Sequence, residues 1–437
     1  MNLNLRFKAF SDELSHYALM DIIVEKPSNG IMNRQSDKVT AVKHINVIDM
    51  YTDDKIHVDE LSYSEYGDTA VEKCNVEIGD IFLTRSSVKA DGIAKSNILL
   101  DDGIYVYDDH LIRLKVDKNN YIPEFVNDYL ASPRFRRQFI VRAKTTAFTT
   151  IGQGDVASCT GDFPSLPEQQ KIADFLSTID TVIEKQKETV SAWEERKKGV
   201  MQKLFSQEVR FKADDGSDFP EWEEKKLKNI LKEYKEYSAK DGSYEHVSLT
   251  KEGVVPKSER YERDFLVKDV DKKYRITHLG DICYNPANLK FGVICRNKYG
   301  DGIFSPIYVT FKVCKDMLPE FVEMLVTRRD FIEYALKYQQ GTVYERMSVS
   351  SDDLLSIKVM VPCMTEQQKI ADCLSSLDEV IEKQKATLAA WEELKKGLLQ
   401  QMVCIKFLTE NNEKGGSLER LMHSKEYSKE LVTKCSL

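Results

Sequence analysis

No stretch of the 437 residues approaches the roughly 18 to 20 consecutive apolar side chains that a membrane span needs. The opening Met1-Asn-Leu-Asn-Leu-Arg-Phe-Lys8 carries no apolar signal core, so the expectation is a cytoplasmic protein without a membrane partner. The nine cysteines are odd in number and never form a Cys-x-x-Cys pair, which argues against a zinc site or a disulfide framework and leaves buried free thiols. A Gly-x-x-x-x-Gly-Lys-Ser/Thr phosphate loop is missing, and with it an ATPase site. Gly152-Gln-Gly154 lacks a third glycine and reads as a turn. Asn285-Pro-Ala-Asn288 departs from the Asn-Pro-Pro-aromatic motif of amino-methyltransferases at its last two positions. The seven histidines fall without ligand spacing, and no serine sits in a nucleophile elbow. No catalytic residue, no metal ligand and no bound cofactor is assigned, so a binding protein is expected rather than an enzyme. Positive charge is also not in excess: 63 Lys and Arg face 71 Asp and Glu, for a net charge of −8 and a pI near 5.6. Taken over the whole chain, that balance weighs against nucleic acid as a partner.

An internal duplication organises what is there. Glu168-Gln-Gln-Lys-Ile-Ala-Asp174 returns as Glu366-Gln-Gln-Lys-Ile-Ala-Asp372, and the offset of 198 holds without a gap to Gln202 and Gln400, with 25 identities in 35 positions. Ahead of each copy the similarity is fainter. Leu5-Arg-Phe-Lys8 echoes Val209-Arg-Phe-Lys212, Gly79-Asp-Ile81 echoes Gly280-Asp-Ile282, and Pro123-Glu-Phe-Val126 echoes Pro319-Glu-Phe-Val322. A period near 200 residues is a domain duplication and not a solenoid repeat.

The repeated arms carry apolar residues at alternating steps of three and four, with glycine only at 199 and 397 inside them. Pro167 suits a first helical turn and Thr365-x-x-Gln368 a capping box, so each arm is expected to be an amphipathic helix on the order of 55 Å long. Neither helix can shelter its stripe alone, and the simplest arrangement pairs them antiparallel about a pseudo-two-fold axis. Ile172, Ile179, Ile183, Trp193, Ile370, Leu377, Ile381 and Trp391 are the candidates for helix pairing or partner contact. Gln186 and Gln384 interrupt the stripe at equivalent places, either as a polar pair that fixes register or as a solvated edge.

The segments before the arms mix short strand-like runs with one helix each, from Pro123 to about Arg142 and from about Pro319 to Tyr338, which gives an α+β domain used twice. Residues 1 to 166 hold 19 basic and 25 acidic side chains, yet Arg134 to Lys144 holds five basic residues and no acidic one. Arg137, Arg142, Lys144, Thr145, Thr146 and Gln153 there could neutralise phosphates and address base edges, or simply form a cationic solvent face. The matching stretch of the second half offers Gln339, Gln340, Thr342, Tyr344 and Arg346. A weaker set lies in earlier loops, with Arg85, Lys89 and Lys95 in one half and Asn288, Lys290 and Arg296 in the other.

Two globular domains, each closing on Pro164-Ser-Leu-Pro-Glu168-Gln-Gln-Lys-Ile172 or Pro362-Cys-Met-Thr-Glu366-Gln-Gln-Lys-Ile370 and a long helix, resemble the specificity subunit of type I DNA restriction-modification enzymes over about residues 5 to 404. The resemblance implies two tandem target-recognition domains, at 1–166 and 209–364, separated and joined by coiled-coil spacer helices at 167–208 and 365–404. It implies double-stranded DNA as ligand, each domain reading half of a bipartite site, asymmetric here because the domains differ. It further implies two modification subunits docked on the helices, and restriction (translocase) subunits in the full complex. S-adenosylmethionine, ATP and Mg belong to those partners. The tail at 405–437 departs from the family pattern. Rival readings are a self-sufficient methyltransferase or nuclease, and a coiled-coil scaffold that does not touch DNA.

Overall fold

The two arm sequences form α-helix over Leu166–Phe205 (40 residues) and Met364–Leu398 (35 residues), the second running into a π turn at Leu399–Val403. The computed structural model describes residues 6–52, 55–238, 243–251, 253–257, 273–340 and 347–403; the tail at 405–437 and candidates Thr342, Tyr344 and Arg346 lie outside them. Contacts divide the chain into two units, Met1–Thr189 with Gln384–Leu437, and Val190–Lys383, so each long helix begins in one unit and ends in the other. None of the described helices is long and apolar enough to cross a membrane.

In the first unit the strands Ser28–Asn29, Leu111–Leu114, Ile81–Thr84 and Ser96–Ile98 form one antiparallel sheet in that order. A second sheet runs Gln35–Ser36, Ser62–Ser64, Val42–Ile45 and Ile104–Tyr107, its last pair parallel. Ile81, Leu83, Ile112 and Leu114 bury one face of the first sheet against Phe125, Tyr129, Phe135 and Phe139. The stripe of the first arm (Ile172, Leu176, Ile179, Ile183) joins that cluster together with Trp391 and Leu398 of the second arm. Apolar burial at roughly 25 cal/mol per Å² is what holds a helix face this polar overall.

The second unit repeats the first sheet as Leu231–Glu233, Val309–Val313, Ile282–Tyr284 and Ile294–Arg296. Its other sheet has five strands. Here Leu204 of the first arm, with Val200, Met201 and Phe205 half-buried, packs in one cluster with Ile370 and Leu374 of the second arm. A two-stranded ribbon precedes the arm in both units, Ser15–Ala18 with Thr160–Phe163 and Glu223–Lys226 with Lys358–Val361.

The single helix expected after residue 123 is two, Pro123–Ala131 and Pro133–Arg142. Ser132 is extended (φ −64°, ψ 151°), the conformation that a following proline imposes. The second unit breaks at the equivalent place, between Pro319–Thr327 and Arg329–Ala335, without a proline. There Arg328 (φ −61°, ψ 143°) lays its guanidinium 4.1 Å from the Phe205 ring centroid and pairs with Asp330 at 3.1 Å, contacts that accompany the turn proline makes in the other copy. The Gly-Asp echoes are the same tight turn twice. Gly79 (φ 87°) and Gly280 (φ 90°) occupy a region costly for other residues. The carboxylates of Asp80 and Asp281 accept from the backbone N–H of Glu77 and His278 at 3.0 and 2.6 Å.

The Glu-Gln pair that opens each arm is wholly buried. Glu168 takes Arg6 in two bonds, Nε to Oε1 at 2.8 Å and Nη2 to Oε2 at 2.5 Å. Glu366 takes Arg210 likewise at 3.2 and 2.9 Å, and also accepts from Trp222 Nε1 at 3.1 Å. Gln169 receives the N–H of Ile122 (3.0 Å) and donates to the Pro164 carbonyl (2.9 Å). Gln367 does the same with Leu318 (2.9 Å) and Pro362 (2.9 Å). The motif is thus a clasp that ties the start of the arm to the segment entering the domain at Arg6 or Arg210, to the end of the closing strand and to the N-terminus of the internal helix. A two-bond guanidinium–carboxylate pair removed from water couples strongly. Double-mutant unfolding with Arg6→Ala and Glu168→Ala is expected to give a coupling energy of about 2 kcal/mol, reduced from the fully buried case because Arg6 is partly exposed; additive single-mutant costs would refute the clasp.

His44 lies inside the parallel strand pair with neither ring nitrogen hydrogen-bonded, and burial lowers its pKa against the opposing pull of Asp108 and Asp109. The folded state therefore keeps it neutral while the unfolded chain takes up a proton below about pH 6.5. Stability should fall on acidification through that range by up to about 1.4 kcal/mol per pH unit from this group. Melting temperatures of the protein and of His44→Leu, compared from pH 7.5 to 5, should diverge in that direction.

Candidate nucleic-acid interface

In the first unit the two candidate stretches, some sixty residues apart in sequence, meet in one small sheet. The hairpin Lys144–Thr145 with Thr149–Thr150 adds Ser86–Ser87 as a third strand, and Ile151 N–H donates to the Arg85 carbonyl at 3.0 Å. Lys89, Lys144, Thr145 and Thr146 are exposed on this joined loop and hairpin, and Arg85 beside them donates to the Asp109 carbonyl at 3.5 Å. Threonine side chains cross-link the hairpin, with Thr145 and Thr149 Oγ1 at 3.1 Å.

The basic run does not act as one surface. Arg134 pairs with Asp162 at 2.5 Å. Arg136, its pKa lowered by burial, donates to the backbone carbonyls of Ile93 and Asp91, fastening the helix to the loop. Arg142 is half-buried, its Nη1 3.4 Å from the Gln138 carbonyl, and Arg137 is exposed. Gln153 is bonded to Asn29, and Gly152-Gln-Gly154 opens a five-residue helix, Gln153–Ala157, instead of a bare turn. Lys95 faces away, lining a cavity of about 770 Å³ with Asn127, Asp128, Asp180 and Lys395, in which burial pushes Asp128 up to about 7.

The second unit joins its candidates by the same device. Val349 N–H donates to the Pro286 carbonyl at 3.2 Å, which is the Ile151–Arg85 bond shifted by the two offsets that relate the copies, and Gln340 and Ser348 exchange backbone bonds of 2.9 Å. Asn288 precedes the turn Leu289–Phe291, where Lys290 is exposed. Gln339 is half-buried, and Gln340 Nε2 donates to Asp353 at 3.2 Å. Arg296 is committed to two carboxylates, Glu320 at 2.9 Å and Glu323 at 3.1 Å.

Of the helix-pairing candidates, Ile172, Ile179, Ile183 and Trp391 share one buried cluster in the first unit, and Gln186 Nε2 donates to Gln384 Oε1 (2.7 Å) and to its carbonyl (3.1 Å). In the second unit Ile370 and Leu377 pack together and Ile381 is buried, whereas Trp193 is half-buried under the Arg196 guanidinium. The ion pairs between the arms left no signal in the sequence. Asp180–Lys395 and Lys197–Asp378, both 2.5 Å, are copies of one another at the 198-residue offset.

Residues 62–191 and 323–390 match the type I restriction modification DNA specificity domain. Those two segments carry the specificity domain of type I restriction-modification enzymes, and the match supports a specificity subunit. Among relatives, a Methanocaldococcus jannaschii protein described as the type I restriction enzyme MjaX specificity subunit is 25% identical over 408 residues, covering 87% of this chain and 91% of its own length. The MjaVIII specificity subunit of the same organism is 26% identical over 279 residues, 57% of this chain and 62% of its own. Two solved structures share the fold. The S subunit from M. genitalium aligns over 93% of this chain and all of its own with a TM-score of 0.51 at 14% identity. A chain from a study of complex assembly and conformational transition in the type I R-M system aligns over 89% and 97% with a TM-score of 0.52 at 12% identity. For a specificity subunit, the arrangement is instructive: the joined loop and hairpin hang on backbone bonds and strand pairing, so their side chains differ between the two units without disturbing the frame.

Proposed function

We propose that this specificity subunit is the non-catalytic DNA reader of a type I restriction-modification complex, with domains at 1–166 and 209–364 each addressing one half of an asymmetric bipartite target. The observation that carries this is the loop-to-hairpin bond, Ile151 to Arg85 and Val349 to Pro286, which presents different side chains on the same frame in both units. Arg85, Lys89, Arg137, Lys144, Thr145 and Thr146 are the reading set of the first, and Asn288, Lys290 and Gln339 of the second. Arg296, Gln153 and Lys95, engaged elsewhere, support the frame. Phosphate neutralisation by a few exposed cations is modest, so tight binding draws on the modification subunits, which hold S-adenosylmethionine, while ATP and Mg serve the restriction subunits. In this reading the arms form an antiparallel coiled coil with pseudo-two-fold symmetry, fix the spacing between half-sites, and dock two modification subunits. The complex works in the cytoplasm.

Deleting the gene should remove one bipartite, non-palindromic adenine-methylation motif from the host methylome, with no other motif altered; an unchanged methylome, or loss of a palindrome, would count against the proposal. The Gln186–Gln384 pair serves register at a cost in stability. Gln186→Leu combined with Gln384→Leu should therefore raise the melting temperature by a few degrees while the methylated motif acquires mixed spacer lengths. A single unchanged spacer in the double variant would remove register from the role of this pair.

A further inference from the structure

Among the described residues, one phenylalanine in each unit is more than half exposed. In the second unit it is Phe291, 53% exposed, with Lys290 Nζ 4.9 Å and Lys251 Nζ 5.9 Å from the ring centroid. Lys251 arrives from a different hairpin, between Glu245–Leu249 and Val254–Pro256, so the cations converge on the ring from two elements. In the first unit it is Phe148, 54% exposed, in a turn closed by the Thr146 N–H on the Phe148 carbonyl at 3.0 Å. Phe148 directly precedes Thr149, which pairs with Ser87 and Thr145, so it adjoins the strand that carries Lys144 and the one that leads into Val88 and Lys89, all three exposed. Among the described residues none of these four lysines has an ion pair.

The two phenylalanines are not equivalent positions. One sits on the loop, the other on the hairpin, yet the pieces are joined by equivalent backbone bonds. A ring more than half exposed contributes little to its own fold, and a shared packing role would have placed both rings on the same element. An apolar ring flanked by cations without carboxylate partners matches duplex DNA, where a side chain pressed into a base step unstacks it while lysines hold the adjacent phosphates.

We propose that Phe148 and Phe291 are apolar wedges, each pressing on a base step of its own half-site, so that part of the sequence preference is read as the ease of deforming that step. This rests on the DNA-reading function proposed above. Neither Phe residue nor Lys251 was among the residues singled out in the sequence, because an isolated phenylalanine reads there as core.

The test uses the host methyltransferase complex, purified through a tag on this chain, and the duplex carrying the motif that depends on its gene. Phe148→Ala and Phe291→Ala should each weaken binding roughly five- to hundredfold, lower the bend reported by end-to-end energy transfer, and abolish the rise in 2-aminopurine fluorescence in one half-site only, a different half for each variant. Phe→Leu at either position should retain most of the bend. Melting curves matching the parent exclude a folding defect. Alanine variants that bind and bend the duplex like the parent would overturn the wedges while leaving DNA reading intact. A parent complex that binds the motif duplex no better than a scrambled one would remove the DNA-reading function and the wedges with it.

Discussion

The buried Glu-Gln clasp at the head of each arm is the constraint on which the rest depends. A carboxylate with no exposed surface is tolerable only if its charge is met, and Arg6 or Arg210 meets it with two bonds each. The neighbouring glutamine then spends both ends of its amide on the backbone of the globular part. Three segments far apart in sequence are thereby fixed to the first turn of a long helix. Any rotation of the arm against the sheet would strand a buried ion and an amide together, so the direction of the helix is set by polar chemistry and its adhesion by apolar burial.

Around that fixed point the two units separate frame from display. The first four-stranded sheet, the broken internal helix and the Gly-Asp turn recur with similar backbone contacts. The backbone bond that joins the two stretches recurs too, Ile151 to Arg85 and Val349 to Pro286, but the side chains described beside it differ: Lys144, Thr145 and Phe148 in one unit, Asn288, Lys290 and Phe291 in the other. Charge follows the same division. Arg134, Arg136 and Arg296 are consumed by the fold, while Arg85, Lys89, Arg137, Lys144 and Lys290 are left outward. The net charge of −8 is compatible with DNA binding because it describes the frame more than the display.

Much of this was legible in the sequence, for reasons tied to particular residues. The duplication and the helical period announced the arms, and Gly79-Asp80 and Gly280-Asp281 marked a turn through their backbone demands. Pro133 could have announced the break after Ser132, whereas the matching break at Arg328 has no local signal because a tertiary contact to Phe205 accompanies it. The recurring Arg-Phe-Lys was visible as an echo, but not that its arginine met the glutamate of the motif, since the partners are 162 and 156 residues apart. In the candidate interface, residue type alone could not divide exposed cations from those tied up in ion pairs. That depends on where Asp162, Glu320 and Glu323 fall in space. The loop-to-hairpin bond is backbone to backbone and leaves no trace in side-chain identity.

The Gln186–Gln384 bond has a property that its sequence does not. Two identical side chains meet, but only one amide can donate along that line while the other accepts, so the contact points from the first arm toward the second. Rotating both amides by half a turn would reverse the arrow but turn Gln186 Oε1 onto the Gln384 backbone carbonyl, which its Nε2 now meets at 3.1 Å. A duplicated frame thus contains, at this contact, a polarity that identical residues cannot encode, and whatever distinguishes the surroundings of the two arms must choose its direction.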